Sequence, residues 1–149
     1  MPVFVNNREI SDDDVHAEMI NHPAPDVDTA RLAAARALVV KQLLLEDAAR
    51  RAMISAPEID MMEDDQIETA ITRLLDEVIS VPEADDDTCA RYYAQHESRF
   101  LDKTTDKILP YDLVKPHIIQ YLEDKAFHAA FNAYLDALMA NAKIVGLAA

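Results

Sequence analysis

The stretch "ILPYDLVKPHIIQYLEDKAFHAAFNAYLDALMANAKI", residues 108–144, decides the fold because it predicts one helix from about Tyr111 to Asn141. Pro110 suits the first helical turn, whereas Pro116 is expected to delay or kink the start. Two strips run along this helix, one small and one bulky: Ala126, Ala130, Ala133 and Ala137, beside Phe127, Phe131, Tyr134 and Leu138. Thirty-odd helical residues span roughly 45 Å. This helix is longer than a small domain is wide, so earlier elements must support it.

The composition predicts a mostly helical protein with one core. The 149 residues are 50% hydrophobic, which is enough for a single domain over residues 1–149. Gly146 is the only glycine. Phosphate-cradling loops and dinucleotide-binding turns need several glycines, so both are excluded.

The shorter elements flank the long helix in sequence. Helices are expected from Ser11 to Ile20, from after Asp28 to about Met53, from near Glu63 to Val78, and after Pro82. Acidic residues open three of these helices, which indicates capping and favourable interaction with the helix dipole. A calcium loop is the alternative, but its glycine is missing. Val3–Val5 and residues 143–147 are β-prone and are expected to pair, with a turn at Asn6 and Asn7 after the first strand.

The net charge of −14 limits the classes of partner. A nucleic acid or an anionic membrane surface requires a basic face, so neither is predicted. The charge favours basic partners, although solvated surface is the simpler interpretation. The opening "MPVFVNNREI" lacks a secretory signal pattern, and no segment approaches the ~20 apolar residues of a membrane span. We therefore predict a cytoplasmic protein.

No pattern of residues predicts an active site. The five histidines show no H-x-x-x-H spacing, and Cys89 is the only cysteine, so no metal site within one chain is expected. Cys89 and His96 could form a nucleophile and base, but no glycine-shaped loop surrounds them. A cysteine one turn inside a helix is usually a small buried hydrophobe. We predict no catalytic residues and no cofactor, and leave a redox role of Cys89 open.

Four segments occur in an order that is typical of one family. They are "VNNREISDDDVHAEM" from Val5, "ARALVVKQLLLEDAAR" from Ala35, "VPEADDDTCARYYAQHESRF" from Val81, and the long helix with its tail. In that order they resemble the chaperone module of parvulin-type foldases, the SurA-like and NifM-like proteins. Asn7 stands where that family usually has glycine.

The resemblance implies a fold and a missing part. The fold is an all-α, orthogonal helical bundle around the long C-terminal helix, with a minimal two-stranded sheet that pairs the N- and C-terminal strands. The family inserts a glycine-rich parvulin domain after Phe100. Here the seam at residues 101–109 carries only "LDKTTDK" before the next helix. The resemblance therefore implies that the isomerase domain is absent and that the protein is not an enzyme.

The family resemblance and the aromatic content predict a surface that holds unfolded segments. The candidate peptide-binding residues are Tyr92, Tyr93, Phe100, Tyr111, Tyr121 and Met139, and the alternative interpretation places most of them in the core. The predicted function is a non-catalytic, chaperone-like protein whose partner is an unfolded or partly folded client. The alternative is a dedicated assembly subunit that recognises one folded partner. A homodimer that swaps helices across the seam is left open.

Overall fold

The computed structural model describes residues 2–147. The helices are α1 Asp12–Glu18, α2 Val27–Arg50, α3 Asp64–Val78, α4 Asp86–Gln95 and α5 Tyr111–Ala140, with 3-10 turns at Met19–Asn21, Ala56–Met61 and Glu97–Phe100. The strands are β1 Val3–Val5, β2 Arg8–Ile10, β3 Leu101–Asp102, β4 Lys107–Ile108 and β5 Ile144–Val145. The prediction of a mainly helical fold with a long C-terminal helix is confirmed, and α5 runs through Pro116.

The described residues form two compact units. Residues 2–78 and 133–147 form the first, called here the sheet unit, and residues 79–132 form the second, called the aromatic unit. The boundary between them falls within α5, after Asn132. The single domain over residues 1–149 stays a prediction, and Met1, Ala148 and Ala149 lie outside the described residues.

A small antiparallel sheet joins the two ends of the chain in the sheet unit. Its order is β2-β1-β5, so the predicted pairing of the terminal strands is confirmed, with Phe4 opposite Val145. Asn6 and Asn7 have φ of 52° and 72°, the left-handed pair that a two-residue hairpin turn needs. This tight turn sends Arg8–Ile10 straight back along β1, so the sheet has three strands rather than the predicted two.

Acidic side chains take part in capping at the starts of α1 and α4, as the sequence predicts, whereas at α3 the Glu63 N–H donates to Gln66 Oε1. The Ser11 hydroxyl accepts from the Asp14 N–H at 3.1 Å while the Asp14 carboxylate accepts from the Ser11 N–H, a reciprocal capping box. The Asp26 carboxylate accepts from the Thr29 N–H at 2.7 Å, so α2 begins at Val27, slightly before the predicted start. Asp85 caps α4 in the same way, through the Thr88 N–H.

The core of the sheet unit is aliphatic and closed. Leu44, Ala48 and Leu74 are buried where α2 meets α3, and Tyr134 packs against this cluster. Asp47, only 7% exposed, accepts hydrogen bonds from Tyr134 Oη, Arg50 Nη2 and Arg51 Nε. Burial alone would raise the pKa of Asp47, but these donors outweigh it and the pKa is lowered. Burial of the Tyr134 hydroxyl, followed by the neighbouring Asp47 carboxylate, raises the pKa of Tyr134.

The predicted seam at residues 101–109 is a short hairpin in the aromatic unit. Leu101 pairs with Ile108, and Asp102 pairs with Lys107. The turn closes through the Asp106 N–H, which donates to the Asp102 carbonyl at 2.7 Å, and Asp106 itself has φ of 57°. The loop is therefore an ordered reversal that brings the chain back to α5.

Candidate functional site

Five aromatic rings gather in the aromatic unit, and we call them the aromatic cluster: Tyr92, Tyr93, Phe100, Tyr111 and Tyr121. Ring centroids lie 5.4 Å apart for Tyr92 and Tyr121, 5.3 Å for Tyr93 and Phe100, and 5.4 Å for Tyr93 and Tyr111. Phe100 also meets Tyr92 edge-on at 6.2 Å. These spacings and tilts are favourable for aromatic pairs. The cluster joins α4, the 3-10 turn Glu97–Phe100 and α5 within one unit.

Hydrogen bonds hold two of the rings in place. The Tyr93 hydroxyl donates to the Leu109 carbonyl at 2.7 Å, and the Tyr111 hydroxyl donates to Asp86 Oδ1 at 2.8 Å. Lys115 Nζ pairs with the same Asp86 oxygen at 2.9 Å. Burial and the Asp86 carboxylate raise the pKa of Tyr111 to about 12. The hydroxyl groups of Tyr93 and Tyr111 thus have hydrogen-bond partners, and the faces of the two rings pack against their neighbours.

The small core beneath the cluster explains why the rings stay partly exposed. Cys89, Val114 and Ile118 are the buried residues of this core, and the rings of Tyr92, Tyr93, Phe100 and Tyr111 pack against it half-buried. Three buried side chains are too few to enclose five rings.

A hollow of about 300 Å³ opens beside the cluster, and we call it the aromatic hollow. It is lined by Tyr92, Arg99, Phe100, His117, Ile118 and Tyr121. Tyr121 is 43% exposed, which is high for a ring this large. A concave, largely apolar surface with a few polar groups at its rim is typical of a binding site.

Arg99 places a positive charge at the rim of the hollow. Its Nη1 donates to the Tyr92 hydroxyl at 2.8 Å. The Arg99 guanidinium, followed by the charge of Lys125, lowers the pKa of Tyr121. His96 adds a further ring, stacked on Tyr92 at 4.2 Å, and its Nδ1–H donates to the Tyr92 carbonyl at 3.0 Å. The hollow therefore combines aromatic ring faces with the guanidinium of Arg99 at its rim.

The predicted binding residues divide between the two units. The structure brings together five of them in the aromatic cluster, although their role in binding peptides stays a prediction. Met139 belongs to the sheet unit, where it is 37% exposed, and it is not a member of the cluster. The alternative that most of the six are core residues is wrong for Tyr121 and Met139, which are exposed, and holds in part for the four half-buried rings.

Sequence reasoning missed Arg99 and His117 as lining residues of the hollow. His117 and Tyr121 are four residues apart on α5, a spacing that places both on one helix face and could have been recognised. No sequence pattern indicates Arg99 as a lining residue. It lies in a 3-10 turn, and its hydrogen bond to the Tyr92 hydroxyl joins residues seven apart in sequence.

Cys89, the candidate nucleophile of the sequence, does not line the aromatic hollow. Cys89 is fully buried, as its helix position predicts, and burial raises the pKa of its thiol, which disfavours the reactive thiolate. Among residues 2–147, no group of three or more histidine, cysteine or acidic side chains is placed to hold a metal ion. Over the same residues, no helix has the length and apolar character needed to cross a membrane.

Comparison of the chain with protein-family models, with curated proteins and with solved structures found no match. The resemblance to SurA-like and NifM-like modules is therefore still a prediction that depends on the four quoted segments alone.

Proposed function

We propose that this protein is a non-catalytic, chaperone-like binder that holds hydrophobic polypeptide segments through the aromatic hollow. The observation that carries the proposal is the half-exposed aromatic cluster beside that hollow, with Tyr121 43% exposed. Large apolar rings left in contact with water at a concave surface favour a ligand that covers them. An apolar side chain of an extended client would fill the hollow.

The rim of the hollow supports a polypeptide as the ligand. Backbone carbonyls flank every side chain of an extended segment, and they can accept from Arg99, whose five N–H groups exceed what Tyr92 and Tyr121 occupy. A ligand with apolar side chains and repeated carbonyl acceptors suits this combination. No isomerase activity forms part of the proposal, and we expect no acceleration of prolyl isomerisation in a proline-peptide assay.

Fluorescence anisotropy with a matched pair of peptides tests the proposal. One labelled, unstructured peptide carries a central phenylalanine, and its control carries asparagine there. Tyr121→Ala should weaken binding of the phenylalanine peptide at least about 5-fold, a loss of ~1 kcal/mol that is typical of an interface tyrosine. Ile20→Ala, at an 85% exposed position of the sheet unit, is the control variant and should bind as the wild type does.

Equal binding of the two peptides, or an unaltered affinity of Tyr121→Ala, would contradict the proposal. A single stoichiometric folded partner in a pull-down, together with no binding of either peptide, would favour the alternative of a dedicated assembly subunit.

A further inference from the structure

A concave surface of the sheet unit lies between β2, α1, α2 and the start of α3. It has a volume of about 530 Å³, and we call it the acidic cleft. Its floor consists of four side chains that are each at most 8% exposed: Ile10, Leu38, Leu45 and Ile59. An aliphatic floor of this kind contacts hydrocarbon favourably.

The walls of the cleft are mostly acidic. Five carboxylates and two cations line it: Glu9, Asp14, Glu18, Asp60 and Asp64, with Arg8 and Lys41. Some of these charges are already used, because Arg8 pairs with Asp60, Asp14 caps α1 and Glu18 bonds His22. Glu9 and Asp64 make no ion pair or side-chain hydrogen bond within residues 2–147, so two carboxylates face the cleft unused. The negative charge of these two carboxylates exceeds the single positive charge of Lys41, so the cleft carries a net negative charge.

Gln42 adds a polar group that is independent of this acidic cluster. It is only 8% exposed and lines the cleft. Its Nε2 donates to Glu46 Oε2 at 3.1 Å, and because a carboxylate only accepts, this contact fixes which end of the amide is which. Glu46 is held in turn by Asn6 Nδ2 at 2.9 Å. Gln42 Oε1 accepts no hydrogen bond from the described residues, and because every fully buried side-chain oxygen among them has a partner, this oxygen is accessible to solvent and available to a donor.

The three features select one ligand chemistry. An aliphatic floor suits an alkyl stem, while the free carboxylates and the Gln42 carbonyl all require a hydrogen-bond donor and favour a positive one. A purely apolar side chain would leave these acceptors without partners, and an anion would be repelled. Lysine and arginine side chains combine an alkyl stem with a cationic donor.

We propose that the acidic cleft binds the side chain of a lysine or arginine of the client polypeptide. This inference rests on the proposed function for the identity of the client, and it adds a second recognition site with a different specificity. The net charge of −14 is consistent with a basic client, since it raises the rate of encounter with one.

The first test does not depend on the aromatic hollow. The ¹⁵N-labelled protein is titrated with N-acetyl-lysine N-methylamide and, in parallel, with the norleucine analogue, which keeps the alkyl stem and lacks the ammonium. We expect saturable shifts of the Gln42 side-chain amide and of the Glu9 and Asp64 backbone amides with the lysine probe only. Equal shifts with both probes, or shifts confined to other residues, would overturn the inference.

The second test uses a labelled client peptide and two charge-matched variants. Glu9→Gln/Asp64→Asn should weaken binding of a lysine-containing peptide about 5-fold and should leave the norleucine version unaffected. Glu68→Gln/Asp136→Asn changes the net charge equally at exposed positions that do not line the cleft, and should bind as the wild type does.

The two proposals fail in different ways. Retained peptide binding with no difference between the two double variants overturns the cleft assignment and leaves the aromatic hollow intact. Loss of the phenylalanine preference with a retained lysine preference overturns the hollow and leaves the cleft. If spermidine binds the acidic cleft more tightly than the lysine peptide does, the proposal that the cleft binds a client side chain is wrong.

Discussion

The sheet unit and the aromatic unit differ in how completely they bury their apolar side chains. Of the nineteen buried hydrophobic residues described, sixteen belong to the sheet unit and three to the aromatic unit. The sheet unit packs aliphatic side chains against each other until they exclude water. The aromatic unit surrounds a three-residue core with rings that stay half-exposed. The contrast teaches that aliphatic side chains of the sheet unit form an extended buried core, whereas the rings of the aromatic unit stay in partial contact with water because their core is small.

The largest expected effect is loss of packing in the sheet unit. Leu74 is fully buried between α2 and α3, so Leu74→Ala leaves a cavity and should lower the free energy of unfolding by about 3 kcal/mol. Urea denaturation followed by circular dichroism measures it. Leu113→Ala, at a 60% exposed position of the aromatic unit, is the control and should change stability by less than about 0.5 kcal/mol. Equal losses for the two variants would erase the contrast between the units.

The second-largest expected effect is the loss of stability when one tyrosine hydroxyl is removed, which should differ between the two units. Tyr134→Phe removes a donor from the nearly buried Asp47 and should cost about 2 kcal/mol. Tyr111→Phe removes the equivalent donor from Asp86, which is exposed to water, and should cost less. Chemical denaturation of both variants at neutral pH makes the comparison. A larger loss for Tyr111→Phe would contradict it.

The Tyr134→Phe effect should depend on pH in a defined direction. The folded-state pKa of Asp47 lies below its unfolded value of about 3.9, so the carboxylate stabilises the fold above that value. This stability disappears as the pH falls through the folded-state pKa. The difference between wild type and Tyr134→Phe should therefore be constant between about pH 5 and about pH 9, below the range in which a free tyrosine ionises, and shrink below about pH 4. A difference that grows on acidification would contradict the role assigned to Asp47.

Gly146 should matter through its backbone rather than through packing. It has φ of 86°, and an added Cβ would lie 2.5 Å from the Pro2 carbonyl oxygen. Gly146→Ala should therefore cost about 1–2 kcal/mol and loosen the pairing of β1 with β5. Thermal unfolding and amide exchange at Phe4 and Asn6, whose N–H groups lie on the β5 side of β1, measure these effects. Val145→Ala, at a 49% exposed neighbour, is the control and should be nearly neutral.

The smallest effect is on ionisation at the aromatic hollow. Arg99 is the main cause of the lowered pKa of Tyr121, so Arg99→Met should raise that pKa towards the ordinary value of about 10. The ¹³Cζ resonance of Tyr121, followed against pH, reports it directly. Arg91→Met removes a charge from α4 without this contact and should leave the Tyr121 pKa unchanged. An unchanged Tyr121 pKa in Arg99→Met would contradict the contact between Arg99 and Tyr121.

Local signals in the sequence were sufficient for most of the fold. The helical spacing of apolar residues predicted α3 and α5, and acidic residues at helix starts predicted the caps that Ser11 and Asp85 provide. Strand β2 was missed because three residues are too short for a periodic pattern. The bond between Tyr134 and Asp47 joins residues 87 apart, and no local pattern reports such a contact.

The candidate sites were predictable only in part. Aromatic residues on α4 and α5 were recognised as candidates, and their gathering follows from both helices packing on one small core. The hollow and the acidic cleft depend on how elements meet, so Arg99 and Gln42 acquire their roles only in the fold. Single residues of these types are common on any acidic, helical chain.

We propose that the exposed rings of the aromatic unit, rather than the buried core of the sheet unit, receive an apolar client residue. Titration of the ¹⁵N-labelled protein with the phenylalanine peptide and its asparagine control tests this claim most directly. We expect phenylalanine-dependent shifts at Tyr92, Phe100, Ile118 and Tyr121. Shifts that are identical for the two peptides, or that fall only on residues of the sheet unit, would contradict the claim.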